Sequence, residues 1–288
     1  MKDFTYKTHQ ALIESLQKAG YSFITFLEYL ENSGSPSLKS LPPQIILRHD
    51  VEQRYESALR FAQIQHSLGI KGSYYFRILP KCFRPKIVEQ IAALGHEIGY
   101  HYDDLAVCKG DYTKAMARFE KNLNILRNIA PVATICMDGS PLSKYDNRDL
   151  WSHPSLPSLR SQKSFHDFGL KGEPYFNMDF NDFFYLTDTG RRWDGWKTSV
   201  RDKVPQQEDW AKQGLVFRST QDIIKAVENG RALSGVEMPD HVMFTMHPQR
   251  WTDSQWPWLK ELVLQNLKNV VKFFLVEDGT GGTEGLRS

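Results

Sequence analysis

The 288 residues carry 36 Lys and Arg against 34 Asp and Glu, and 41% of them are hydrophobic. That fraction suits a single domain with a sizeable core, since α/β barrels routinely run about 200–250 residues as one unit. The near-balance of charge offers no concentrated basic face, so no nucleic-acid partner is expected, and no apolar run approaches the roughly 18 residues of a transmembrane helix.

Residues 1–43 read as a helical N-terminal extension. Apolar residues at helical spacing predict helices over about 7–19 and 24–32, and the turn-rich SGSPSLKSLPP follows. From Gln44 the pattern changes. QIILRHD is a short apolar run ending in polar residues, as expected of a buried parallel strand. ESALRFAQIQHSLGI then predicts a helix stopped by Gly69, SYYFRIL a strand, PKIVEQIAALG a helix and HEIGYH a strand ending in histidine. A helix over about 112–129 and the strand VATICM complete a fourfold alternation, which argues for parallel βαβ units.

Residues 150–205 are irregular, with strand-like YFNMDF and FFYLTDTG among loops, and read as an insertion over the barrel mouth. A helix near 220–229, the strand HVMFTMH and an amphipathic helix through WLKELVLQNLKNVVKFF follow, and 276–288 read as a flexible tail. The expected architecture is therefore α/β, a distorted seven-stranded (β/α) barrel over 44–275. Cys82, Cys108 and Cys136 form no CxxC pair and the N-terminus has no secretory pattern, so a cytoplasmic location is expected.

Catalytic groups of β/α barrels collect at the C-terminal ends of strands. Four strand ends here carry ionisable residues: Asp50 and Glu52, His101, Asp138, and His247. Mixed imidazole and carboxylate ligands suit zinc or another first-row divalent metal, which acidifies bound water and polarises a carbonyl. Each residue also has a plainer reading: Asp50 as a helix cap, Asp138 as a turn residue before Gly139, His101 and His247 as structural histidines.

The series RHDVE, GIKGSYYF, LGHEIGYH and TMHP, over roughly residues 44–250, resembles the motif series of the polysaccharide deacetylase (NodB-like) family. The resemblance implies a (β/α) barrel that uses a divalent metal to hydrolyse acetyl groups on sugars. By that likeness Asp50 is the general base and His247 the general acid. Glu52, one residue beyond the family's spacing, and His101 are metal ligands; the family's second histidine would fall at Leu105, and Asp138 and Asp104 are the candidate replacements, with Asp138 taken into the ligand set.

The aromatic and charged stretch FFYLTDTGRRWDGWKTSVRDKV suggests Asp188, Arg192 and Trp193 as a substrate wall, with Lys144 and Arg250 bordering the same cleft. The expected activity is hydrolysis of a non-peptide carbon–nitrogen bond, N-deacetylation of an amino sugar or glycan precursor, with a carbohydrate or sugar-linked small molecule as partner. Two alternatives stand beside it. One is a non-catalytic carbohydrate-binding module on the same barrel, favoured by Leu105. The other is a metal-independent glycosidase using paired carboxylates such as Asp50 and Asp138.

Overall fold

The structure, a computed structural model, describes residues 2–32, 42–152, 163–194, 199, 201–230, 235 and 237–265. Seven parallel strands form one sheet: β1 (Ser22–Ile24), β2 (Gln44–Val51), β3 (Ser73–Phe76), β4 (Glu97–Tyr102), β5 (Val132–Met137), β6 (Phe184–Thr187) and β7 (His241–Met246). Their order is β5-β4-β3-β2-β7-β6, with β1 paired to the first half of β2. The parallel α/β architecture is thus present, but the described strands do not close into a barrel. β5 and β6 are the two ends, and a single bridge, Thr134 to Gly172, runs along the free side of β5.

Strand alternation sorts the side chains into two layers. Ile45, Leu47, Tyr74, Tyr100, Ile135 and Phe244 face outward into the larger core, against apolar faces of helices such as Tyr6–Lys18, Tyr55–Ser67 and Tyr112–Arg127. Ile46, Tyr75, Cys136, Tyr185 and Met243 face the other way into a smaller core filled by Phe26, Tyr29, Phe180 and Phe183. Each fully buried large apolar side chain contributes about 1.5–3 kcal/mol. A one-residue bulge in β5 opposite Ile98 and Tyr100 keeps Cys136 beside His101 on the inner side.

Gly99 sits at that irregularity because Tyr75 needs the space. A Cβ at position 99 would lie 2.3 Å from Tyr75 Cε1, far inside van der Waals contact.

The strand-like YFNMDF is instead a short helical turn, Pro174–Asn177, entered through Pro174 and capped by the Glu173 side chain. The helix predicted over 24–32 occupies Phe26–Asn32, after β1. Its N-terminal amides are satisfied from the N-terminal ends of the strands: Phe26 N–H donates to Ser73 Oγ (2.9 Å) and Leu27 N–H to Glu97 Oε2 (3.1 Å). That contact covers one end of the inner layer and leaves the C-terminal strand ends to form a cavity. The predicted tail and most of the last amphipathic helix lie outside the described residues; 255–265 are helical. No helix among the described residues is long and apolar enough to cross a membrane.

Candidate active site at the strand ends

A cavity of about 1090 Å³ opens where the strands end, and its lining includes Asp50, Glu52, His101, Asp138 and His247. They arrive from four strand ends or the turns that follow them, Asp50 and Glu52 both from β2, as the parallel topology requires. One ligand atom each from Glu52, His101 and Asp138 lies within 4.8 Å of the other two.

The arrangement around His101 fixes which nitrogen faces the cavity. Nδ1 is 3.0 Å from the Cys136 carbonyl oxygen, which can only accept, so Nδ1 carries the proton. Nε2 then directs its lone pair at two carboxylates, Asp138 Oδ2 at 3.7 Å and Asp50 Oδ2 at 3.9 Å. A lone pair facing two anions is repulsive unless a cation or a proton lies between them. A backbone carbonyl behind a histidine is also the usual support of a metal-bound imidazole.

These residues fit a divalent first-row metal, with one nitrogen and carboxylate oxygens as donors. Asp50, His101 and Cys136 also cluster. Burial pushes the Cys136 thiol well above its usual range, which disfavours the thiolate a metal needs, so the oxygen-rich set is the better one.

Arginines hold the carboxylates in place. Arg48 grips Asp50 with two bonds, Nε to Oδ1 at 2.9 Å and Nη2 to Oδ2 at 2.6 Å, and both side chains are buried. Arg77 Nη1 reaches Asp138 Oδ2 at 3.1 Å, while its other nitrogens bind Asp103. Burial raises the Asp138 pKa, but His101, Arg77 and the Ser140 bonds outweigh it and hold the carboxyl below its usual range. Asp138 Oδ1 accepts from Ser140 N (2.8 Å) and Oγ (2.6 Å), fixing Ser140 at φ 37. Arg54, also on the lining, has φ 48. Such left-handed conformations in residues other than glycine persist only where surroundings enforce them.

On the far side of the cluster, His247 Nδ1 lies 2.6 Å from Asp188 Oδ1 and its Nε2 is 3.7 Å from Glu52 Oε1. Asp188 is fully buried and also accepts from His247 N (3.0 Å), Arg250 Nη1 (2.9 Å) and Trp251 Nε1 (2.6 Å). Burial and Arg250 pull the His247 pKa down, but Asp188 and Glu52 prevail and raise it above the usual histidine range. For Asp188, burial is outweighed by His247 and Arg250, which keep it ionised.

The remaining substrate-wall residues divide. Lys144 and Arg250 line the cavity; Arg192 and Trp193 do not. Arg192 is half-exposed and paired with Asp194 at 2.7 Å, and Trp193 is buried in the outer core with its N–H on Thr220 Oγ1 at 3.0 Å. Leu105 points into that same outer core, so position 105 has no access to the ligand cluster.

Sequence reasoning passed over Arg48, Arg77 and Asp202. Asp202 lines the cavity and accepts from the hydroxyls of Thr187 and Thr189, both at 2.8 Å, and from Tyr175 at 2.7 Å. An arginine two residues before Asp50 was a usable signal, because i and i+2 share a strand face. The Asp202 contacts had none.

No protein-family model matches the chain, and no curated protein matches it. Among solved structures, the Streptococcus pyogenes deacetylase PplD in complex with acetate is similar at 13% sequence identity and a TM-score of 0.37, covering 50% of this chain and 66% of that one. The overlap thus spans just under two thirds of that protein, and the site stands on this chain's own residues.

Proposed function

We propose that the chain is a metal-dependent hydrolase of a non-peptide carbon–nitrogen bond, and that its reaction is N-deacetylation of an amino sugar. The observation that carries this reading is the meeting of Glu52, His101 and Asp138 between two differently equipped groups, Asp50 with Arg48 on one side and His247 with Asp188 on the other. Glu52, His101 and Asp138 would hold the metal, which when bound supplies Lewis-acid polarisation of the acyl carbonyl and a more acidic water.

Asp50, oriented by Arg48, accepts the proton of the attacking water as its oxygen bonds to the acyl carbon. His247, kept protonated by Asp188, donates to the amide nitrogen as the carbon–nitrogen bond breaks. Water is consumed and a carboxylic acid and an amine are released. Unequal surroundings thus divide the roles of base and acid. The cavity is large enough for a sugar unit, consistent with a carbohydrate ligand.

The test is acetate release from N-acetylated amino sugars by purified protein supplied in turn with zinc, manganese, nickel and iron salts. Activity that needs one of these metals and is lost in Asp50→Asn supports the reading. Absence of turnover together with absence of metal uptake would overturn it.

A further inference from the structure

We infer that the substrate is anionic: an N-acyl amino sugar that carries phosphate. This rests on the proposed deacetylation and adds the chemical class of its substrate.

Around the ligand cluster the arginines Arg48, Arg77 and Arg250 each have a negative partner: Arg48 with Asp50 at 2.6 Å, Arg77 with Asp138 at 3.1 Å, Arg250 with Asp188 at 2.9 Å. The mouth is different. Lys81, Lys109, Lys144 and Lys260 line it from four separate segments: the turn after β3, the turn after Asp104–Val107, the loop after β5, and helix 255–265. All four are exposed, and none has an ion-pair partner among the described residues. Among the carboxylates on the cavity lining, only Glu261 stands on the same helix as one of them.

Converging lysines from four segments are not the solvated face of one helix. Their field adds at the mouth of a cleft with low-dielectric walls, where it concentrates anions and speeds their entry. Lysine binds phosphate as a point charge, and several such charges suit a dianion or a diphosphate better than a single carboxylate. The neutral acyl end would then lie at the ligand cluster, with the phosphate toward the mouth.

The experiment compares N-acetylglucosamine, N-acetylglucosamine 1-phosphate and UDP-N-acetylglucosamine, in wild type and in a Lys81→Glu/Lys109→Glu/Lys144→Glu variant. Acetate release and direct binding by calorimetry are both read, at about 0.01 M and about 0.15 M salt, where the Debye length is about 30 and about 8 Å. The expected result is a preference of about tenfold or more in kcat/KM for a phosphorylated sugar, shrinking with salt and collapsing in the variant. Which phosphorylated sugar is preferred distinguishes a monoester from a nucleotide-linked diphosphate.

Equal turnover of neutral and phosphorylated sugars would overturn this inference and leave the deacetylase reading intact. Salt-sensitive binding of the phosphorylated sugars, lost in the variant and without acetate release, would support the anion site and count against the deacetylase reading. No binding and no turnover would overturn both. Circular dichroism of the variant shows whether it is folded, and a single Lys109→Gln substitution gives a milder second series.

Discussion

His9, His49 and His96 lie in the outer layer of the molecule, between the sheet and its helices. His101 and His247 lie on the inner side, at the ends of β4 and β7. All five are buried, yet their surroundings differ in kind. Gln65 Nε2 donates to His49 at 2.8 Å and to His9 at 3.2 Å, Tyr74 donates to Gln65 Oε1 at 2.8 Å, and His96 bridges Gly72 N and the Ala62 carbonyl. None of those partners is charged. Burial therefore dominates and pushes His9 down to about 3 and His96 to about 4. His247 and His101 instead have carboxylates within 4 Å, Asp188 and Glu52 beside His247 and Asp50 and Asp138 beside His101. Burial of a histidine thus says little about its task, and the charge of its neighbours says much.

The comparison is sharpest at His101. Replacing it by Ala should reduce bound metal from stoichiometric to background in elemental mass spectrometry and abolish acetate release. Replacing the equally buried His96 should leave bound metal unchanged per folded molecule. Metal retained in His101→Ala would break the distinction between the two groups.

Next in size is Asp188→Asn. Losing the anion behind His247 should lower kcat by roughly 10²–10⁴-fold, the usual contribution of a positioned general acid. It should also shift the basic limb of the pH–rate profile to lower pH, because Asp188 helps to raise the His247 pKa. A loss of rate with an unmoved profile would mean that Asp188 only packs the loop.

Gly99→Ala tests the wall between the layers. The added methyl must displace the Tyr75 ring, whose hydroxyl contacts Thr134 Oγ1 at 3.2 Å. Overpacking of this sort costs about 1–3 kcal/mol, measurable by urea denaturation. An unchanged midpoint would show that the Tyr75 ring can move aside.

The strand ends were legible in sequence because a buried strand is a short apolar run and its ionisable terminus is conspicuous. Asp50, Glu52, His101, Asp138 and His247 all line one cavity. Chain closure was less legible: nothing in an apolar run reports whether its outer edge finds a partner, and β5 and β6 remain ends. Partners far apart in sequence were also hidden. Asp188 meets His247 across 59 positions, and Trp193 is buried because Phe4 and Trp251 pack around it. Composition alone made Trp193 resemble a sugar-stacking residue. Leu105 shows the reverse: a position counted four after His101 leaves the site, because the chain turns into the helix Asp104–Val107 with Leu105 in the outer core.

The smallest expected effect concerns the outer histidines and acid. A histidine whose folded pKa lies below its unfolded value of about 6.5 contributes full stability above that pH, and loses it as pH falls. For His9 the window runs from about 6.5 down to about 3. Within it the unfolded chain binds the extra proton, so stability falls by about 1.4 kcal/mol per pH unit for each such group. Burial raises Asp104 and Glu173 to about 7, and these oppose the trend, since protons are then bound more tightly in the folded state over part of the same range. The total slope is therefore a poor test, and a difference of slopes is a good one. His9→Phe keeps the ring stacked on Phe61, 3.9 Å away between centroids, and removes one titrating group. Unfolding free energies of the two proteins between pH 6 and 4.5 should diverge in slope by about 1.4 kcal/mol per pH unit, with wild type the steeper toward acid. Parallel slopes would mean that His9 takes up its proton within the folded protein, and the contrast between the outer and inner histidines would then lose its electrostatic basis.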